Sequence, residues 1–266
     1  MLNTMRDFTI NTYRTLLESL QAAGYAFLTA TDYYRSNKEL LPERFVIIRH
    51  DVDTLPENSA LTARLEHTLG VKATYYFRIV KESNSPVIIK QIAALEHEIG
   101  YHYEDLTTAN GDIEKAYQSF CNNLAYFKQF YEVSTICMHG SPRSKYDSKD
   151  IWKAHDYHKL GIVAEPYLDS DFSRLFYLTD TGRCWDGFNV SVRDKIEHYQ
   201  DLWTSQGLVY HTTFDILYAI NSGTLPKQLM ITTHPQRWTD NRLLWLKELC
   251  MQSLKNIVKR IIIISR

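Results

Sequence analysis

From Arg44 onward the chain alternates short, apolar, β-rich runs with helical stretches, and several of those runs break off on an acidic residue or a histidine. The runs are RFVIIRHDVD, VKATYYFRIV, EIGYHYE, VSTICMHG and, much later, KQLMITTHPQRW. Between the first three lie segments that begin at a proline and carry good helix formers: ENSALTARLEHTLG after Pro56, closed by Gly70, and VIIKQIAALEHE after Pro86. Proline suits the first helical position because its missing N–H would have no partner there. Asp112 is placed to cap a long helical segment reaching about Tyr131. Strands with little polar interruption, separated by helices, are the pattern of parallel βα units buried on both faces.

Two flanking helices complete the expectation. The segment 11–23 has Tyr13, Leu16, Leu17 and Leu20 at helical spacing, and a C-terminal helix begins near Thr239. The stretch KLGIVAEPYLDSDFSRLFYLTDTGRCWDG reads as short strands and long loops. No low-complexity linker or internal repeat divides the 266 residues. The expectation is an α/β fold in one domain over 1–266, with its core at about 45–238.

Where the polar residues fall matters most for function. His50-Asp51-Val52-Asp53, His102 with Glu104, His139 and His234 each stand at the C-terminal end of an apolar run. In a parallel βα barrel those ends share one rim, where active sites assemble from several strands. Any one of these histidines alone reads better as a core residue; for Asp51 and Asp53, helix capping and loop hydrogen bonding ahead of Pro56 is the lesser reading. Four strands delivering carboxylates or imidazoles to the same position are hard to explain by packing. Asp and His are the ligands of a hydrolytic divalent metal, most simply Zn²⁺ with three protein ligands and an open water position. Such an ion lowers the pKa of bound water and polarises a carbonyl. A further carboxylate can take a proton from that water and a further histidine can protonate the leaving group. The parts for rival chemistries are missing: there is no GxSxG elbow, no phosphate-cradling glycine loop and no GxGxxG fingerprint.

A net charge of −1 argues against general affinity for nucleic acid or anionic membrane. Cys121, Cys137, Cys184 and Cys250 show no CxxC spacing and read as reduced core residues of an intracellular protein. MLNTMRDFTINTYRTLLESL lacks a basic region followed by an apolar stretch, so no signal peptide and a cytoplasmic location are expected. No apolar run reaches membrane-spanning length, and the tail IVKRIIIISR reads as a terminal core element. The 18 Tyr and 5 Trp suit a sugar site, although the same rings more often fill cores.

RHDVD, EIGYHYE, MHGSP and ITTHP, in this order from about Phe45 to Trp238, resemble the polysaccharide deacetylase superfamily. This is the nodulation-protein-B homology domain of carbohydrate esterases, here in its HDVD-containing branch. The resemblance implies an irregular (β/α)7-type barrel and a metal-dependent deacetylase acting on a carbohydrate or an acetylated small molecule. It implies Asp51 as catalytic base, Asp53 and His102 as metal ligands, and His234 as general acid. The family's second metal histidine, four residues after the first, falls on Leu106. Placement at the end of the next strand makes His139 the preferred third ligand, with Glu104 the alternative because residues i and i+2 of a strand face the same way. A second departure lies at MHGSP, where many members carry an arginine-proline motif that orients the base. Two other readings stay open: a deacetylase-like domain that lost a ligand and binds glycans or partners, and an amidohydrolase acting on a small non-sugar amide. Oligomeric state is not legible.

Overall fold

A computed structural model describes residues 6–141, 144–185 and 195–264, without the side chains of 197 and 259–264. The strands are β1 (Ala26–Leu28), β2 (Phe45–Val52), β3 (Thr74–Phe77), β4 (Glu98–Tyr103), β5 (Ile136–Met138), β6 (Phe176–Thr179) and β7 (Gln228–Thr233). They pair parallel in the order β5-β4-β3-β2-β7-β6, with β1 against the start of β2. This is the expected α/β architecture, a parallel half-barrel. Among the described residues no strand pairing joins β5 to β6, and Ala164 bridges to Thr135 beside β5.

The helices are α1 (Ile10–Ala22), α2 (Ala30–Arg35), α3 (Pro56–Thr68), α4 (Pro86–Ala94), α5 (Asp105–Thr108), α6 (Ile113–Phe127), α7 (Pro166–Asp169), α8 (Glu197–Ser205), α9 (Thr213–Asn221) and α10 (Arg242–Ile264). Pro56 and Pro86 occupy the first turns of α3 and α4, and the Asp112 side chain accepts from Lys115 N to start α6. α1 buries Tyr13, Leu16, Leu17 and Leu20, the face its spacing predicts. α10 starts later than the expected Thr239 because Asn241 caps it, accepting from Leu243 N and Leu244 N.

β2, β3 and β4 are buried along their whole length, so their alternate residues face either the inside of the half-barrel or the helix layer. On β2, His50 faces helices: its Nε2 lies 2.6 Å from Glu66 on α3, and Tyr13 of α1 donates to the same carboxylate. Arg49 and Asp51 face the other way. Two expectations need correction. Of the four cysteines only Cys137 is buried, and Cys250 is exposed. In the tail, Ile257 and Val258 are exposed rather than core; the side chains beyond them lie outside the described residues.

Candidate metal centre

The β2 pleat puts Arg49 and Asp51 on one side, two residues apart, and burial forces them to satisfy one another. Arg49 Nε donates to Asp51 Oδ1 at 2.8 Å and Nη2 to Oδ2 at 2.6 Å, a bidentate pair with almost no solvent contact. Burial alone would raise the Asp51 pKa, but the charges of Arg49 and His102 hold it well below the usual carboxylate range. Arg49 also donates to Tyr167 Oη, which is shared with Tyr177 on β6. Asp51 does not cap α3, whose N-cap position is Leu55 with no side-chain bond.

Each of the rim histidines is held by an acceptor at its Nδ1. His102 Nδ1 is 2.9 Å from the Cys137 carbonyl on β5. A carbonyl only accepts, so Nδ1 carries the proton and Nε2 presents a lone pair. His139 Nδ1 lies 3.0 Å from Glu104 Oε2, and Arg78 donates to the other oxygen of that carboxylate. His234 Nδ1 lies 2.5 Å from Asp180 Oδ1. Orientation of a histidine through its second nitrogen is the arrangement seen around metal-ligating imidazoles. The Nε2 atoms gather at the end of β2: His102 lies 3.6 Å from Asp51 Oδ2 and 3.8 Å from Asp53 Oδ1, His139 lies 3.5 Å from Asp53 Oδ1, and His234 lies 3.8 Å from Asp53 Oδ2. Asp53 Oδ1 is buried and has no hydrogen-bond partner.

The electrostatics follow from this crowding. Burial pushes the His102 pKa down to about 4, against the pull of Asp51. At His139 burial also opposes the charge, but Asp53 and Glu104 outweigh it and raise the pKa. Glu104 is itself drawn down to about 2, because bonds from His139 and Arg78 overcome its burial. Asp53 is lowered too, its burial outweighed by the surrounding imidazoles.

Sequence reading did not find Asp180, the residue directly after β6. Its buried carboxylate accepts from the His234 backbone N, Arg237 Nη1 and Trp238 Nε1, at 2.9, 2.7 and 2.8 Å, besides facing His234 Nδ1. The signal was available: FYLTD is an apolar run ending on an acid, like the other rim segments. Arg237 and Trp238 anchor Asp180. Trp185 lies wholly in the core beside Phe8 and Trp238, and Asp169 accepts from Tyr157 Oη and the Glu165 backbone N.

These donors suit a cation. Among the described residues, Asp51, His102 and Cys137 are a group whose ligand atoms all lie within 4.8 Å of one another, and Asp53 and His139 stand outside it. Yet both Asp51 oxygens already accept from Arg49, and the Cys137 thiol bonds the Met138 carbonyl. Asp53 offers an acceptor that is not taken up in this way. Its unpartnered Oδ1 faces two imidazole nitrogens at 3.5 and 3.8 Å, close to the roughly 3.4 Å between ligand atoms of a tetrahedral zinc. Gln236 Nε2 donates to Asp53 Oδ2 at 3.4 Å, but among the described residues Oδ1 meets no hydrogen-bond donor, which suits a cation or a proton there. Glu104 reaches the site as the group that holds His139, and Leu106 is buried in the core.

No protein-family model and no curated protein matches the chain. Among solved structures, it is similar to the Xyl-CE4 domain of a multidomain xylanase from the hindgut metagenome of Trinervitermes trinervoides. The identity is 14% over 81% of this chain and 84% of that one, with a TM-score of 0.41. It is also similar to PdaA of Bacillus subtilis, a family 4 carbohydrate esterase, at 12% identity over 91% of this chain and 84% of that one, again with a TM-score of 0.41.

Proposed function

We propose that the rim of the half-barrel is the active site of a metal-dependent hydrolase that removes an acyl group, acetyl foremost, from a sugar or polysaccharide precursor. The observation that carries this reading is the buried Asp53 Oδ1, without a hydrogen-bond partner and faced by His102 and His139. A divalent cation held by Asp53, His102 and His139, zinc foremost, would supply a water of lowered pKa and a polarised acyl oxygen.

The remaining rim groups divide the proton work. Asp51 is the general base, and its pairing with Arg49 keeps it ionised and fixes its plane. A carboxylate so far below its usual range is a weak base, sufficient for a water that is already acidified. Arg49, two residues back on the same strand, takes the orienting role that the MHGSP segment leaves open. His234 is the general acid, donating to the departing amine or alkoxide. Asp180 holds its ring by accepting at Nδ1, which leaves Nε2 facing the site. The sugar as substrate rests on the resemblance of the RHDVD, EIGYHYE and ITTHP segments.

One feature favours a second reading. Leu106 stands where the resembled family has a metal histidine, which suits a domain that binds glycans without turning them over. The zinc-loaded protein, assayed for acetate release across N- and O-acetylated sugars and small non-sugar amides, separates the readings. Release from the sugars supports the proposal. Release from the non-sugar amides alone points to an amidohydrolase. Zinc content that is equal in the wild type and His102→Ala, with no release, favours the binding domain.

A further inference from the structure

α10 is built inside out. Its side against the body of the protein is polar: Trp245 Nε1 donates to the Asp7 carbonyl, Asn256 Nδ2 to the Gly182 carbonyl, and buried Gln252 bonds Asn256. Its opposite side is apolar. Leu243, Leu246, Leu254 and Ile257 are 80, 52, 66 and 56% exposed, and exposed Cys250 completes the row. At 3.6 residues per turn these positions form one stripe, directed away from the protein. A stripe of exposed leucines on a soluble surface marks a contact that is made elsewhere.

The charges indicate what covers it. The helix carries five Lys or Arg against the single acid Glu248. By the same helical geometry Leu244, Met251 and Val258, also exposed, widen this apolar face; Arg242 borders it on one side and Lys255 on the other, with Lys247 inside it, while half-buried Glu248 is turned toward the protein. An apolar face bordered by long basic side chains on both flanks fits the boundary of an anionic bilayer, where the aliphatic stems reach through the interface and the ammonium groups meet phosphate. Self-association would instead bring two such basic borders together without carboxylates to match. The helix is not long and apolar enough to cross a membrane, so it would lie along one. The whole-chain net charge of −1 hides this local concentration of positive charge.

We propose that α10 docks the protein on anionic phospholipid surfaces, with the stripe from Leu243 to Ile257 in the interface and the polar face on the protein. This holds whatever chemistry the rim performs. Co-sedimentation of the full chain with vesicles tests it, comparing phosphatidylcholine alone with phosphatidylcholine containing about one quarter phosphatidylglycerol. The expected result is binding to the anionic vesicles only, weakened at about 0.5 M salt. Leu246→Gln with Leu254→Gln, and separately Lys247→Glu with Lys255→Glu, should each lower binding by about tenfold or more. Val87→Gln, an exposed apolar residue on α4, should leave binding unchanged. Far-UV circular dichroism melts that match the wild type establish that the variants are folded. Absence of binding to anionic vesicles overturns the proposal. So does a dimer, seen by light scattering, that the leucine pair dissociates while vesicle binding stays at the neutral-lipid level.

Discussion

Removing the Arg49 guanidinium would leave the Asp51 carboxylate buried without the charge that holds it ionised. Arg49→Met is therefore expected to destabilise the fold by about 3–5 kcal/mol, the usual range for breaking a buried ion pair. It should also move the acidic limb of the kcat/KM profile to higher pH, since Asp51 would then protonate earlier; an unmoved limb would mean Asp51 is not the base. The two aspartates of the HDVD segment, so alike in sequence, should separate in a metal assay. Asp51→Asn is expected to abolish turnover with zinc retained, and Asp53→Ala to lose the zinc. Equal loss in both variants would mean that the roles are shared or reversed. The strand-end position of these carboxylates was legible in RHDVD. Their division of labour was not, because it depends on Arg49 filling both Asp51 oxygens while Asp53 Oδ1 is left to the histidines.

Strand β4 shows how an element constrains its residues from outside. A Cβ on Gly100 would stand 2.3 Å from the Tyr76 ring and 2.9 Å from the Thr135 carbonyl. That ring is buried and its hydroxyl pairs with Thr135 Oγ1, so it has nowhere to retreat. Gly100→Ala is expected to cost about 2–3 kcal/mol in urea denaturation, as overpacking does. On the helix side of β2, Glu66 of α3 gathers His50, Tyr13 and Tyr75 in full burial. Burial would raise the Glu66 pKa, but His50 and its other partners lower it. A depressed carboxyl contributes stability that is complete above its unfolded pKa and is lost as pH falls through the folded one. Glu66→Gln should thus be about 3 kcal/mol less stable near neutral pH. The gap should narrow in acid, and a gap that is constant with pH in a denaturation series would refute the linkage. The α3 helix itself was readable from Pro56, its helix formers and the closing Gly70. Its buried acid was not, because nothing local marks Glu66 as facing inward.

At the scale of the whole molecule, cation binding should couple to stability, because the ligands come from separate strands. Zinc at about 100 times its Kd is expected to add about 2.7 kcal/mol. The raised His139 pKa means that a proton competes with the cation up to a higher pH than at an ordinary imidazole. The gain in Tm should therefore shrink as pH falls below the His139 value, and a Tm indifferent to zinc at every pH would remove the metal site. By itself the sequence determined the parallel βα order and which residues stand at strand ends. Apolar runs broken by single polar residues have few other ways to bury themselves. It could not determine the pairings across the rim: Asp180 with His234, Glu104 with His139, and the Cys137 carbonyl with His102. Nor did the apolar letters of α10 tell which way that helix faces; its polar bonds to Asp7 and Gly182 decided that. Such contacts join residues far apart in the chain, and their distances and directions exist only once the strands have been laid side by side.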